Sequence, residues 1–168
     1  GEAYWNKFTA LKHLDLTDLD TLIYESVLIK KNVVDQDPRE NGLRKTLNFG
    51  HTLGHAIESY FLSHQRQTTI LHGEAIEIGM VLAWYLSSKI LNFPMEQTEA
   101  IKKLFYSFYN KVAIEEQDYT PIMDLLKYDK KNNHGNINFV LLKHIGDPVI
   151  DCKVEEQLII DAFKYYEA

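Results

Sequence analysis

With 168 residues and a mass of 19.6 kDa, the chain is long enough for one domain with a substantial core and short for two. Its formal net charge of -6 and its pI near 5.6 argue against nucleic acid or an anionic membrane as the main partner. The single cysteine, Cys152, excludes an internal disulfide and favours a reducing, cytoplasmic location. No apolar run approaches the ~20 residues that cross a bilayer. Because the chain opens on Gly1 without an initiator methionine, we expect a fragment of a longer protein.

Apolar residues at helical spacing predict a mainly α-helical domain. Those between Leu19 and Val33 predict a helix over about 18–34, which ends before Pro38 because proline disfavours helix in its predecessor. We expect the apolar stripes of the helices to form the core. The other predicted helices span about 44 or 48 to 63, 72–91, 96–111, 121–127 and 154–166.

A small antiparallel β-ribbon is expected near residues 137–151. The run 137–142 is β-like, and Val149 and Ile150 can pair with it across a turn at 146–148. The predicted fold class is therefore mainly α, a multi-helix domain with one β-ribbon.

The most informative stretch contains two histidines, His51 and His55, four residues apart. In a helix both imidazoles would project from one face, roughly 6 Å apart. Asn48 and Glu58, three residues outside the pair, would share that face. The pattern differs from the H-E-x-x-H metalloprotease motif because Thr52 stands where the general base would be.

A third histidine, His72, opens the next predicted helix. Three histidines and several carboxylates in about thirty residues predict a divalent metal site, with zinc as the expected ion. All three histidines can serve as ligands, or two can bind the metal while the third contacts substrate. Nearby cations and an amide would suit an anionic substrate such as a phosphate or a carboxylate: Lys30, Arg44, Lys130, Lys131 and Asn48.

Glycines within the predicted histidine helix indicate a crowded site. Gly50 and Gly54 each cost about 1 kcal/mol relative to alanine inside a helix. A helix keeps such residues where another helix or a ligand must approach its backbone closely.

These motifs resemble the 3-dehydroquinate synthase family. The resemblance rests on residues 42–58, on Leu71 to Glu74, and on Asp129 to Lys131 followed by the β-like run 139–142. It covers essentially the whole chain in order. It implies that residues 1–168 form the single C-terminal, α-helical, metal- and substrate-binding domain, whose N-terminal NAD-binding Rossmann-like partner is absent here.

The resemblance also implies a role for each matching residue. His51 and His72 would bind Zn2+ or Co2+, and His55 would contact substrate and assist proton transfer. The family's third metal ligand, a glutamate, precedes the start of this chain, so the fragment alone is expected to be inactive. The remaining substrate contacts implied are Asn48, Arg44, Lys30, Lys130 and, with less support, Lys131.

The implied reaction converts 3-deoxy-D-arabino-heptulosonate 7-phosphate to 3-dehydroquinate and phosphate, with NAD as a transient oxidant in the full-length enzyme, a homodimer in this family. Two other hypotheses stay open. The first is another sugar-phosphate cyclase, of the 2-deoxy-scyllo-inosose or valiolone synthase type. The second is a helical binding module with structural histidines, which predicts that His51, His55 and His72 do not cluster.

Overall fold

The computed structural model describes residues 2–10, 16–63, 69–128 and 137–168. These residues form seven α-helices, one 3-10 helix and a two-stranded antiparallel sheet. The mainly α fold class with one β-ribbon is therefore confirmed. No helix in these segments is long and apolar enough to cross a membrane.

Most of the predicted elements match the structure closely. The helices predicted over 18–34, 72–91 and 154–166 are present, and their ends shift by two residues or fewer. In chain order the elements are α1 (Glu2–Thr9), α2 (Leu16–Gln36), the 3-10 helix (Leu43–Asn48), α3 (His51–Ser63), α4 (His72–Ile90), α5 (Met95–Phe108), α6 (Glu116–Tyr128), β1 (Asn138–His144), β2 (Asp147–Lys153) and α7 (Glu156–Glu167).

Helix α4 is the centre of the domain. It contacts α3, α5, α7 and β1, and most of its residues are buried. A helix that is apolar on several sides is stable only when other elements cover it. Its buried apolar side chains include Ala75, Ile78, Val81, Leu82, Trp84 and Leu86.

Three glycines bring α3 and α4 into backbone contact. A Cβ atom on Gly79 of α4 would lie 2.1 Å from the carbonyl oxygen of Gly50 and 2.7 Å from the backbone nitrogen of Gly54. A Cβ on Gly54 would lie 3.0 Å from the carbonyl oxygen of Ala75. The sequence-based expectation of a close approach is confirmed, and the approaching element is α4.

The continuous helix predicted from 44 or 48 to 63 is wrong. Residues 43–48 form a 3-10 helix, and α3 begins only at His51. Between them Gly50 has φ +78°, a left-handed conformation that glycine adopts without steric cost. Asn48 therefore does not share the helical face of His51 and His55.

Two further predictions need correction. Helix α5 ends at Phe108 rather than at 111, and α6 begins at Glu116, so that Pro121 lies inside it. The side chain of buried Asp118, the third residue of α6, accepts a hydrogen bond from the backbone N–H of Glu115 just before the helix (2.8 Å), as in one half of a capping box, and this bond stabilises a helix start ahead of the proline.

The apolar stripe of α2 is not core within the described residues. Ile23 and Val27 are each 57% exposed, and Tyr24 is 65% exposed. Helical periodicity shows which side chains share a face, but it does not show what covers that face. Among the described elements, α2 packs mainly against the 3-10 helix.

The β-hairpin braces the segment that leads into α3. Its strands pair antiparallel and turn at Ile145 and Gly146, where Gly146 has φ +87°. The Lys45 ammonium group lies 2.8 Å from the carboxylate of Asp151 in β2. The Thr52 hydroxyl donates to the carbonyl oxygen of Asn138 in β1 (3.2 Å). The hairpin thus holds both the 3-10 helix and the first turn of α3.

An apolar cavity of about 560 Å³ lies beside the first turns of α3 and α4 and contains a buried acid. Glu77 of α4 lines this cavity and is 6% exposed, and its Oε1 has no hydrogen-bond partner among the described residues. Burial, followed by the nearby Glu74 carboxylate, raises the pKa of Glu77 to about 7.

We expect Gly79→Ala to destabilise the chain because the new methyl group would collide with the backbone of α3. Overpacking of this kind costs typically 1–3 kcal/mol, and about 3 kcal/mol is expected here because backbone atoms cannot rotate away. Urea unfolding followed by circular dichroism measures the change. The matched control is Gly73→Ala, also in α4, where a Cβ meets no atom within 4 Å. Equal stability of the two variants would contradict the packing argument.

We expect Glu77→Gln to remove a pH-dependent loss of stability. Below pH 4.5 the folded and unfolded states both hold the Glu77 proton, whereas between pH 4.5 and about 7 only the folded state does, so stability falls as pH rises. The stability of the variant relative to wild type should increase by about 2 kcal/mol between pH 5 and pH 8. Urea unfolding at both pH values tests this. Exposed Glu96→Gln is the control, and a similar increase in it would contradict the assignment to Glu77.

Candidate metal and substrate site

Three histidine rings form a row where the start of α4 packs against the middle of α3: His51 and His55 on α3, and His72 at the first position of α4. The ring centroids of His51 and His55 are 5.3 Å apart, and those of His55 and His72 are 5.8 Å apart. The first distance follows from the i,i+4 spacing within α3, and the second from the close approach of the two helices at Gly54 and Gly79. The predicted cluster is therefore present, contrary to the expectation from a binding module with unrelated structural histidines.

His51 is the first residue of α3, and one nitrogen of its ring is fixed by the backbone. Its Nδ1 lies 3.1 Å from the carbonyl oxygen of Phe49. A carbonyl oxygen only accepts hydrogen bonds, so this contact favours the tautomer with hydrogen on Nδ1 and a lone pair on Nε2.

His72 is the first residue of α4 and is held in a similar way by a side chain. Its Nδ1 lies 3.0 Å from Oε2 of Glu58 in α3. The His72 side chain is 59% exposed and the Glu58 side chain 25%. The carboxylate thus links the two helices through the imidazole ring.

His55 occupies the middle of the row. Its ring makes an edge contact with His51 and lies nearly parallel to His72, at an interplanar angle of 29°. Neutral imidazole both donates and accepts a proton, which is the property that general acid–base catalysis requires. The position of His55 is compatible with the proton-transfer role implied by the family resemblance.

The donor set fits part of a metal centre. Catalytic zinc usually has three protein ligands, and two imidazoles whose Nδ1 atoms contact acceptors are suitable for two of these positions. Across the described segments, no group of three or more His, Cys, Asp or Glu side chains converges in a way that would hold a metal ion. His51 and His72 thus have the donor chemistry expected of two metal ligands, and a complete catalytic set would need a further group.

The loop before the 3-10 helix is organised by a carboxylate that the sequence analysis did not assign to the site. Asp37 accepts hydrogen bonds from the backbone N–H groups of Asn41, Gly42 and Arg44, at 3.0, 2.8 and 3.0 Å. These bonds, that of Gly42 first, hold the pKa of Asp37 below its usual range. The Arg44 guanidinium donates to the carbonyl oxygen of Pro38 (3.0 Å), so the loop also positions that side chain.

Asn48 is positioned by a second acid from the same loop. Its Nδ2 donates to Oε1 of Glu40 (2.6 Å). Glu40 itself has φ +56°, uncommon for a residue other than glycine. The sequence shows an acidic turn with a proline directly before the Arg44–Asn48 segment. This pattern predicts a turn, but it does not predict the hydrogen bonds of Asp37 and Glu40.

The remaining predicted substrate residues are not joined to the histidine row. Lys30 is exposed on α2, and among the described residues no hydrogen bond or ion pair connects it to His51, His55 or His72. Lys130 and Lys131 lie outside the described residues. Their roles stay predictions.

Comparison with known proteins identifies a family. The family model for the C-terminal part of 3-dehydroquinate synthase matches residues 2–132. The 3-dehydroquinate synthase of Parabacteroides distasonis is 41% identical over 148 residues, covering 88% of this chain and 41% of the relative. That of Listeria innocua is 38% identical over 165 residues, covering 96% of the chain and 43% of the relative. The chain thus spans less than half the length of these curated relatives.

Solved structures of similar fold belong to sugar-phosphate cyclases. A crystal structure of 2-deoxy-scyllo-inosose synthase complexed with carbaglucose-6-phosphate, NAD+ and Co2+ superposes with a TM-score of 0.70 at 27% identity, covering 89% of this chain and 41% of that chain. ValA, a 2-epi-5-epi-valiolone synthase from Streptomyces hygroscopicus with NAD+ and Zn2+ bound, has a TM-score of 0.67 at 21% identity, covering 90% and 41%, and shows the shared fold. Together with the family match, these similarities show that the chain belongs to the 3-dehydroquinate synthase family, to whose C-terminal part it corresponds.

Proposed function

We propose that this chain supplies the metal- and substrate-binding part of a 3-dehydroquinate synthase. The enzyme would convert 3-deoxy-D-arabino-heptulosonate 7-phosphate to 3-dehydroquinate and phosphate, a step of the shikimate pathway to aromatic amino acids. The observation that carries the proposal is the row of His51, His55 and His72 in a chain about 40% identical to curated 3-dehydroquinate synthases.

His51 and His72 would hold the metal, Zn2+ or Co2+. Co2+ is bound in the solved 2-deoxy-scyllo-inosose synthase and Zn2+ in the solved 2-epi-5-epi-valiolone synthase. A bound divalent ion acts as a Lewis acid that polarises substrate oxygens. The contacts of both Nδ1 atoms with acceptor oxygens support Nε2 as the ligating nitrogen in each ring.

Other residues of the chain would bind and orient the substrate. His55, between the two ligands, would accept or donate a proton at a substrate oxygen. Arg44 and Asn48, held by the loop acids Asp37 and Glu40, would contact its carboxylate and hydroxyl groups. A guanidinium group suits a carboxylate because its planar donors match both oxygens. Lys30 would add a second cation, and Lys130 with Lys131 would bind the phosphate.

The NAD site and a further metal ligand would come from outside residues 1–168. The curated relatives are more than twice as long as the matched region, which leaves room for such a domain. We further propose a cytoplasmic homodimer, in keeping with the single cysteine and with the family resemblance.

The alternative is a different sugar-phosphate cyclase of the same fold. The similarity in structure to 2-deoxy-scyllo-inosose synthase supports it, at 27% identity. Identities of 38–41% to 3-dehydroquinate synthases over most of the chain favour the latter. Arg44 also favours an acidic substrate, because a carboxylate would neutralise its positive charge, whereas its present acceptor, the carbonyl oxygen of Pro38, is uncharged.

Substrate preference tests the proposal directly. We expect the natural polypeptide, with NAD and Co2+, to release phosphate from 3-deoxy-D-arabino-heptulosonate 7-phosphate and to form 3-dehydroquinate. Glucose 6-phosphate, which has no carboxylate, should give a kcat/KM lower by at least about 100-fold, equivalent to about 3 kcal/mol. The 168-residue chain alone should release no phosphate. Preference for glucose 6-phosphate would favour the alternative, and turnover by the chain alone would contradict a requirement for the rest of the enzyme.

Metal binding tests the ligand assignment separately. We expect calorimetric titration of the 168-residue chain with Zn2+ to show weak, saturable binding that is lost in the His51→Ala, His72→Ala double variant. Affinity should be weak because two imidazoles provide fewer ligands than the three of a usual catalytic site.

His144→Ala is the control, because this histidine lies on the hairpin and pairs with Asp147 (3.3 Å). Binding that survives in the double variant would contradict the assignment of His51 and His72. Binding absent from every protein would mean that the site assembles only in the longer polypeptide, where the same variants are then compared.

A further inference from the structure

We propose that Glu58 is a positioning residue for His72. Its carboxylate accepts the Nδ1 hydrogen of the imidazole and thereby fixes the tautomer and orientation in which Nε2 binds the metal. The inference rests on the proposed function, because it takes His72 as a metal ligand.

The geometry of the contact supports this role. Oε2 of Glu58 lies 3.0 Å from Nδ1 of His72, within the range of a direct hydrogen bond. Glu58 lies in the middle of α3, and its side chain is 25% exposed against 59% for His72. The more enclosed carboxylate therefore holds the more exposed ring, whose other ring contact is the stacked His55.

The chemistry of the two groups determines which nitrogen remains for a metal. An ionised carboxylate has acceptors only, so the contact is a hydrogen bond only when Nδ1 of His72 carries hydrogen. In the neutral ring the lone pair is then on Nε2. A carboxylate on the far nitrogen also makes an imidazole a stronger ligand, and loss of such a partner typically weakens metal binding about 10–100-fold.

The three histidines of the row differ in this respect. The Nδ1 atoms of the two predicted ligands contact acceptor-only oxygens, that of Glu58 for His72 and that of Phe49 for His51. For His55, the predicted proton-transfer residue, no hydrogen bond fixes either ring nitrogen within the described part of the chain. Hydrogen bonds thus restrict the tautomer of the two proposed metal ligands, His51 and His72, and, within the described segments, leave the tautomer of the proposed proton-transfer residue, His55, unrestricted.

If Glu58 served only as a tether between α3 and the start of α4, its removal would lower the stability of the protein and leave the tautomer of His72 unchanged. Helix α4 has another acid at its start, because Glu74 accepts a hydrogen bond from the backbone N–H of Leu71 (2.8 Å). Glu74→Ala weakens the helix start without removing the partner of His72. It is therefore a matched control that separates tethering from control of the tautomer.

The experiment uses the natural polypeptide labelled with 15N-histidine, with Co2+ alone as the metal probe. Long-range 1H–15N spectra of the metal-free protein report the tautomer of His72, whose signals are identified by their loss in His72→Ala. We expect hydrogen on Nδ1 in the wild type and in Glu58→Gln, which retains an acceptor oxygen. In Glu58→Ala we expect a mixture of tautomers.

Co2+ affinity should follow the same order. We expect it to fall about 10–100-fold in Glu58→Ala and less in Glu58→Gln. Glu74→Ala should lower the thermal unfolding midpoint while the tautomer and the Co2+ affinity stay near those of the wild type.

The outcomes separate the inference from the proposed function. Wild-type tautomer or wild-type Co2+ affinity in Glu58→Ala would overturn the inference, and loss of affinity in His72→Ala would then leave the proposed function standing. Unchanged Co2+ binding in His72→Ala would instead show that His72 is not a metal ligand. Both the inference about Glu58 and the proposed function would then be contradicted.

Discussion

The site depends on the backbone contact between α3 and α4. Gly79 allows α4 to approach so closely that the carbonyl oxygen of Gly50 occupies the place of a side chain. The two helices run antiparallel, with Gly50 beside Met80 and Gly54 beside Ile76. His72 at the first position of α4 therefore lies beside Glu58 in the middle of α3. A side chain at the crossing would separate the helices and increase the 5.8 Å spacing of the His55 and His72 rings, which lie on different helices. The glycines are thus structural requirements of the site although they carry no chemistry themselves.

Around the histidines, acidic side chains position the groups that would bind an anion. Asp37 gathers three backbone N–H groups and shapes the loop from which Arg44 projects, while Glu40 holds the amide of Asn48. A chain with a net charge of -6 could in this way form the proposed anion site. The acids are engaged with the backbone or with an amide, so the guanidinium group keeps its capacity for a ligand.

Sequence reasoning predicted the helices with strong periodicity, the hairpin and the proximity of the three histidines. It failed where tertiary contacts decide local structure. The break at Gly50 was missed because a glycine inside an apolar, periodic segment does not reveal its φ angle, and Asn48 was therefore placed on the wrong face. Glu58 lies in the histidine helix, and Glu40 lies in the turn that precedes the 3-10 helix. Their hydrogen-bond partners depend on tertiary packing, which residue spacing in the sequence does not reveal. The early start of α6 likewise depends on buried Asp118, which outweighs the proline that follows.

The exposed apolar face of α2 has a consequence for the energetics of ligand binding. This helix carries Lys30, yet it buries few side chains and contacts mainly the 3-10 helix. Elements with little buried area open locally at low free-energy cost, whereas α4 opens only with the whole domain. A ligand that engages Lys30 together with the histidines would bind the ordered arrangement of α2 in preference to the open one. If Lys30 contacts the ligand as proposed, ligand binding and the ordering of this helix would be thermodynamically linked. The observed affinity would then be lower than the intrinsic affinity by the free energy needed to order the helix.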